Sequence, residues 1–379
     1  MKKIKFGTLS LLGMLLCLQA CTGPNKTNTK NANPDTLAMD QKKDQQMNLY
    51  TLRNKNGSSV TITDYGARIV SLTVPDKDNK LTDVVLGYAN LKSYKKQGEP
   101  FFGAIIGRYG NRIGKGKFSL DEEVYQLQLN DGKNTLHGGL DGFHAKTWRV
   151  KQQDSSRIDF FYTAADGEGG YPGKLDVQVT YTFSEDNALK IHYLATSDKN
   201  TVVNLTNHAY FNLNGEGNPS ILDHQLAIQA DAYTPVDSTL IPTGAITLVK
   251  GTPFDFTKAK MIGKDIDENN QQLGFGKGYD HNFVLNRHTL EQPVARVSSP
   301  LTGIRMEVFT TEPGLQFYSG NFLTGKDKDG KGGVSYPFRS AFCLETQHFP
   351  DSPNKENFPS TVLKPGAEYQ STTIYKFSK

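Results

Sequence analysis

The stretch Leu175-Asp176-Val177-Gln178-Val179-Thr180-Tyr181-Thr182-Phe183 places an apolar side chain at every second position. Successive side chains of an extended chain point to opposite faces, so a period of two describes a strand with one buried face. The same alternation recurs on either side, in Ile158, Phe160 and Tyr162 and in Leu189, Ile191 and Tyr193. Farther out it returns in Val60 and Ile62, and in Ile304, Met306 and Val308. Gly, Asn and Pro punctuate these runs, which predicts antiparallel strands joined by turns and packed as a sandwich. The fold class expected is therefore all-β, a large antiparallel β-sandwich with few short helices. The best helical candidate is a short piece from Thr257 to Asn269. No second linker, repeat or low-complexity stretch interrupts Leu49 to Lys379, so one domain is expected there.

The N-terminal segment has a different character. Lys2, Lys3 and Lys5 precede an apolar run from Leu9 to Leu18 that is too short to cross a bilayer as a permanent helix. This layout predicts a secretory signal over residues 1–20. It ends in Leu18-Gln19-Ala20-Cys21, which resembles the bacterial lipoprotein box, with Cys21 as the lipidated residue. The alternative is an ordinary cleaved signal with an incidental cysteine. Residues 21–48 are rich in Asn, Thr, Lys, Asp and Gln and have little to bury, so a flexible tether is expected. An exported protein follows, periplasmic or anchored in the outer membrane, touching the membrane only through Cys21. Cys17 would leave with the signal and Cys343 stands alone, so no internal disulfide is expected.

Charge excludes one class of partner. The formal charge is +4, but residues 49–379 carry equal numbers of basic and acidic side chains. A nucleic-acid binder needs a concentrated basic surface, and none is visible. Familiar catalytic signatures are also missing: there is no Walker loop, no HExxH, no CxxC and no G-x-S-x-G elbow. Gly274-Phe275-Gly276-Lys277-Gly278 lacks a following helical pattern and is expected to be a mobile loop.

Polar residues instead gather inside apolar, turn-rich stretches at five places. These are Ile106-Gly107-Arg108-Tyr109-Gly110-Asn111-Arg112, Asn134-Thr135-Leu136-His137-Gly138-Gly139, Asn204-Leu205-Thr206-Asn207-His208-Ala209-Tyr210-Phe211-Asn212-Leu213, Gly278-Tyr279-Asp280-His281-Asn282-Phe283 and Phe342-Cys343-Leu344-Glu345-Thr346-Gln347. Buried polar groups are costly unless paired, so these either satisfy one another or await a polar ligand. A pyranose with several hydroxyls is one such ligand.

In this order the five segments resemble those of the aldose 1-epimerase (galactose mutarotase) family. Pro253-Phe254-Asp255-Phe256-Thr257, Glu312-Pro313-Gly314-Leu315-Gln316-Phe317-Tyr318-Ser319-Gly320-Asn321 and Phe349-Pro350-Asp351-Ser352-Pro353-Asn354 extend the resemblance over residues 49–379. It implies the family's large β-sandwich and the interconversion of α and β anomers of free aldohexoses such as glucose and galactose, without metal or organic cofactor. It also implies that Glu345 is the general base, that His208 is the general acid and that His137 assists near the ring oxygen. Asn111, Arg112, Asp280 and Gln316, with Tyr210, match positions that hold the sugar.

Those residue types suit the chemistry. A cyclic hemiacetal opens when its C1 hydroxyl loses a proton while its ring oxygen gains one, and a positioned acid and base speed each transfer by about 10²–10⁴-fold. For that task Glu345 is expected to rest ionised and His208 protonated. Two other classes compete. Glycosidases need two carboxylates, for which Asp280 would partner Glu345, and a non-catalytic sugar-binding module can occupy the same kind of sandwich. The histidines at 144, 192, 224, 281, 288 and 348 are expected to be structural or surface residues.

Overall fold

The computed structural model describes residues 47–379 apart from 153 and 327. The expected signal sequence, Cys21 and nearly all of the expected tether lie outside the described residues. The described residues belong to one compact unit.

The stretch Leu175–Phe183 is the third strand from one edge of a nine-stranded sheet. Leu175, Val177, Val179, Tyr181 and Phe183 are all buried, as the alternation requires. It pairs antiparallel with Arg157–Ala164 on one side and Ala188–Ser197 on the other. The next strand in the sheet is Glu368–Ser378, which lies between Ala188–Ser197 and Arg305–Thr310. A four-stranded sheet begins with Leu49–Arg53, and a five-stranded sheet contains Asp280–Val284, Gly314–Tyr318 and Cys343–Gln347. One apolar core draws on all three sheets, from Leu52 and Ile62 through Phe160 and Tyr375 to Phe317 and Leu344. Buried tyrosines add polar ties between layers: the Tyr181 hydroxyl donates to the Ala67 carbonyl at 2.8 Å and that of Tyr375 to the Leu344 carbonyl at 2.9 Å. The expected antiparallel sandwich is the fold.

Two local expectations fail. Thr257–Asn269 is not helical; it is a run of turns around the two-residue strand Lys260–Met261, on the edge of the nine-stranded sheet. The Lys260 ammonium bonds the Pro253 carbonyl and Asp265, both at 2.6 Å, which fixes these turns. The helix begins later, at Gln271–Gly276, where the Asn270 side chain accepts from the backbone N–H groups of Gln272 and Leu273. The glycine-dense stretch is thus the end of a helix. Intrinsic propensity disfavours glycine there, but Gln272 bonds both backbone groups of Val236 and Leu273 is buried. Tertiary contacts outweigh the propensity and carry Phe275 to the rim of the main cavity.

Candidate active site

The five-stranded sheet turns two unlike faces to its surroundings. In register, Gln316 lies opposite Asn282 on one side and Glu345 on the other, while Tyr318 lies opposite Asp280 and Cys343. Asp280, Asn282, Gln316, Tyr318, Cys343, Glu345 and Gln347 therefore share one face. The alternate residues Phe283, Leu315, Phe317 and Leu344 go to the apolar core. Burial of the polar face is supported by side-chain bonding within it. Gln316 donates to Asp280 Oδ1 at 2.6 Å, and Gln347 donates to Asn282 Oδ1 at 3.2 Å.

Two shorter pairings bring the remaining groups alongside. Thr206–Asn207 pairs with Ile105–Ile106, which sets His208 at the start of an irregular segment beside Glu345. Its imidazole stacks on Tyr210, with ring centroids 4.9 Å apart. Arg112–Ile113 pairs with Thr135–Leu136, so the loops ending in Asn111 and starting at His137 run side by side. Gly138 is required there: it has φ +84°, and a Cβ would lie 2.0 Å from the Gly107 carbonyl oxygen. That contact presses the His137 loop against the loop leading to Asn111.

The eight sequence-predicted site residues in this unit, Glu345, His208, His137, Asn111, Arg112, Tyr210, Asp280 and Gln316, are all buried. Seven of them line a cavity of about 540 Å³. Gln316 is not among the lining residues; it holds Asp280 from within the sheet. The cavity walls also include Pro100, Phe101, Asp131, Thr239, Phe275, Tyr318 and Phe322, which the sequence reading did not single out. The alternation of Gln316 with Tyr318 was a signal for Tyr318. The loop residues carry no such periodicity.

Within the cavity, His208 Nε2 lies 3.6 Å from Glu345 Oε1, and His208 Nδ1 lies 3.5 Å from Cys343 Sγ. The other carboxylate oxygen, Glu345 Oε2, is buried with no hydrogen-bond partner. The Asn111 backbone N–H donates to His137 Nδ1 at 3.2 Å. That bond leaves the proton of a neutral His137 on Nε2, so the ring offers a donor from that nitrogen. Arg112 Nε donates to Asp131 at 2.7 Å, and its Nη1 lies 3.9 Å from Asp280.

Burial opposes charge throughout this site. It pushes the Glu345 carboxyl well above its usual range, reinforced by Asp280 and opposed by Arg112. It pushes His208 down to about 3 and His137 well below the ordinary imidazole value. Burial therefore opposes the expected pairing of an ionised Glu345 with a protonated His208. Aromatic rings surround His208, and removal from water penalises either charge more than the partner 3.6 Å away restores. Asp280 is also pushed up by burial, partly offset by Arg112 and by the bond from Gln316.

His137, His208 and Glu345 place one potential ligand atom each within 4.8 Å of one another. The tautomer of His137 argues against a metal, since Nδ1 already accepts a hydrogen bond and Nε2 carries the proton. The arrangement instead offers a donor (His137), a proton-exchanging pair (Glu345 and His208) and polar groups for hydroxyls. Elsewhere, His224 accepts from the Leu213 N–H and approaches Asp223, and His348 bonds Glu312 at 2.6 Å, both structural arrangements.

Comparison with known proteins gives one consistent result. A family model described as aldose 1-epimerase matches residues 48–376. The galactose mutarotase of Sus scrofa is 49% identical over 319 residues, covering 84% of this chain and 91% of that protein. The aldose 1-epimerase of Escherichia coli (strain K12) is 40% identical over 336 residues, with 88% and 96% covered. Among solved structures, an aldose epimerase homologue from C. elegans superposes with a TM-score of 0.80 at 31% identity, covering 88% of this chain and 99% of that one. The galactose 1-epimerase of Lactobacillus acidophilus NCFM gives a TM-score of 0.77, also at 31% identity, with 88% and 94% covered.

Proposed function

The chain belongs to the aldose 1-epimerase family and is a mutarotase, and from that premise we propose how its own residues open and reclose the sugar ring. The carrying observation is the buried, unpartnered Oε2 of Glu345 on a carboxyl whose Oε1 lies 3.6 Å from His208 Nε2. A free aldohexose such as glucose or galactose enters the cavity, with Asn111, Arg112 and Asp280 holding hydroxyls and Gln316 fixing Asp280. Tyr210 supports the His208 ring from behind.

Burial favours the uncharged forms of both groups, so a single proton shared by the pair is drawn toward Glu345. The ionised arrangement, Glu345 as carboxylate and His208 as imidazolium, contains the same number of protons. Sugar hydroxyls that donate to the carboxylate favour its charged form, so binding moves the proton to His208. Glu345 then removes the O1 proton, the C1–O5 bond breaks with its electron pair going to O5, and His208 protonates O5. Neutral His137 donates a hydrogen bond near that oxygen. Rotation about C1–C2 presents the other face of the aldehyde. Return of the O5 proton to His208, attack of O5 on C1 and return of the O1 proton from Glu345 give the other anomer. Every proton is restored, and no glycosidic bond is cut. Asp280, engaged by Gln316 and near Arg112, is poorly placed to serve as the second acid of a glycosidase.

Polarimetry on freshly dissolved α-D-glucose and α-D-galactose tests the reading. Glu345→Gln is expected to reduce the catalysed rate at least about 10²-fold while sugar still binds. A rate near wild type would remove Glu345 from its role.

We also propose that the protein works outside the cytoplasm, anchored by lipid at Cys21. Support comes from the basic start, the short apolar run and the Leu18-Gln19-Ala20-Cys21 box. The Cys21→Ser variant is expected to leave the membrane fraction and lose labelling by a fatty-acid probe. Retention of both would refute the anchor.

A further inference from the structure

We propose that Phe101 is a substrate-contacting residue whose ring forms the apolar wall for the C–H face of the pyranose, and that the buried Arg68–Glu99 pair positions it. This inference rests on the proposed site. A pyranose is amphipathic: its hydroxyls need hydrogen-bonding partners, whereas the axial C–H groups of its faces pack well against aromatic rings. The roles assigned above to Asn111, Arg112 and Asp280 deal only with hydroxyls.

Phe101 meets the requirement for the other surface. Its ring lines the cavity and remains partly exposed, while Tyr210 and Tyr318 are buried. Its centroid lies 4.7 Å from that of His137 and 5.8 Å from that of His208. It therefore stands beside the groups that exchange protons. A third imidazole, His144, packs edge-on to it at 4.8 Å. On its far side is a second cavity of about 390 Å³, lined by Tyr65, Tyr94 and His144, so the ring is part of a partition between two spaces.

The backbone shows that this placement is held against a local preference. Phe101 has φ +64°, a region that bulky side chains rarely adopt and that costs about 1–3 kcal/mol. The holding contacts are explicit. Glu99 bonds Arg68 through both carboxylate oxygens at 2.8 and 2.9 Å, and its Oε1 also accepts from the Phe102 N–H at 2.8 Å. Arg68, fully buried, donates as well to the carbonyls of Phe102 and His144. Glu99 and Phe102, which flank Phe101 in sequence, are thereby tied to each other and through Arg68 to the His144 turn.

Steady-state polarimetry with galactose on Phe101→Tyr, Phe101→Leu, Phe101→Ala and Glu99→Gln tests the proposal. The tyrosine variant is expected to stay near wild type. The alanine variant is expected to raise KM about tenfold with a much smaller change in kcat, the loss typical of one aromatic contact. If the alanine variant does not fold, the leucine variant decides, since it keeps apolar bulk without an aromatic face and is expected to raise KM several-fold. KM within twofold of wild type in the folded variant overturns the wall. For the clamp, Glu99→Gln is expected to raise KM in the wild-type background and to add little in the Phe101→Ala background, or in Phe101→Leu if the alanine variant does not fold. A full additional effect there overturns positioning through Phe101. Glu345→Gln in the same assay separates the two readings: its inactivity beside a wild-type-like Phe101→Ala refutes only the wall, and its activity refutes the proposed site.

Discussion

Glu345 and His208 are 137 positions apart in the chain, and in the folded protein 3.6 Å separates their nearest side-chain atoms. What they can do depends on the low polarity around them. A carboxyl whose affinity for protons is raised keeps its proton until the pH climbs through its folded value. An imidazole lowered to about 3 stays neutral until the pH falls that far. Across the interval between those values the pair contains one proton, which is the number the ring-opening cycle needs. The catalysed rate, corrected for spontaneous mutarotation, is therefore expected to show no histidine-like fall between about pH 7 and pH 5.5, where a free imidazole would titrate. Its alkaline limb belongs to Glu345 and lies above the ordinary carboxylate range. A tenfold drop across that acid interval would mean that His208 titrates as an exposed histidine, contrary to its burial.

At the level of strands and loops, legibility followed exposure. Leu175–Phe183 was readable because most of its alternate side chains face away from the core, so polarity alternates with burial. In Gly314–Tyr318 and Cys343–Gln347 every residue is buried, and in Asp280–Val284 all but Val284 are. Polar residues there do not follow a simple period of two; their setting in apolar stretches marked them as buried, and only the family resemblance gave them roles toward a sugar. The helix was misplaced for a related reason. Thr257–Asn269 contains Ile262 and Ile266, both buried, but they are held by turns, whereas the true helix is short, glycine-rich and dependent on Asn270 and Gln272. Phe101, Asp131 and Thr239 were illegible because they sit in loops, where no periodicity links a residue to the side it faces.

For the whole molecule, the interior histidines govern the response to acid. His144, His208 and His281 are each pushed by burial down to about 3, and His137 is well below the ordinary value. An unfolded histidine binds its proton near pH 6.5. A lowered folded value therefore contributes stability that is present above about 6.5 and is lost as the pH falls toward about 3, at roughly 1.4 kcal/mol per pH unit for each group. His348, raised by its bond to Glu312 against the effect of burial, and Glu345, raised by burial, act in the opposite sense, but the four lowered histidines outnumber them. The melting temperature is expected to decline between about pH 6.5 and pH 5, before most carboxylates titrate. Scanning calorimetry checks this, and a constant or rising value over that interval would contradict neutral, buried histidines.

The position of Glu368–Ser378 between Ala188–Ser197 and Arg305–Thr310 has a temporal meaning as well as a spatial one. A chain synthesised from its N-terminus cannot close its largest sheet until these residues have emerged. Contacts between segments so distant in sequence also form slowly. While growing, the polypeptide lacks the strand that joins its early and late halves, and the cavity lacks Glu345 for most of that time. A nascent chain in this condition remains threadable, and it has no catalytic activity until Glu345 and the Glu368–Ser378 strand have been added.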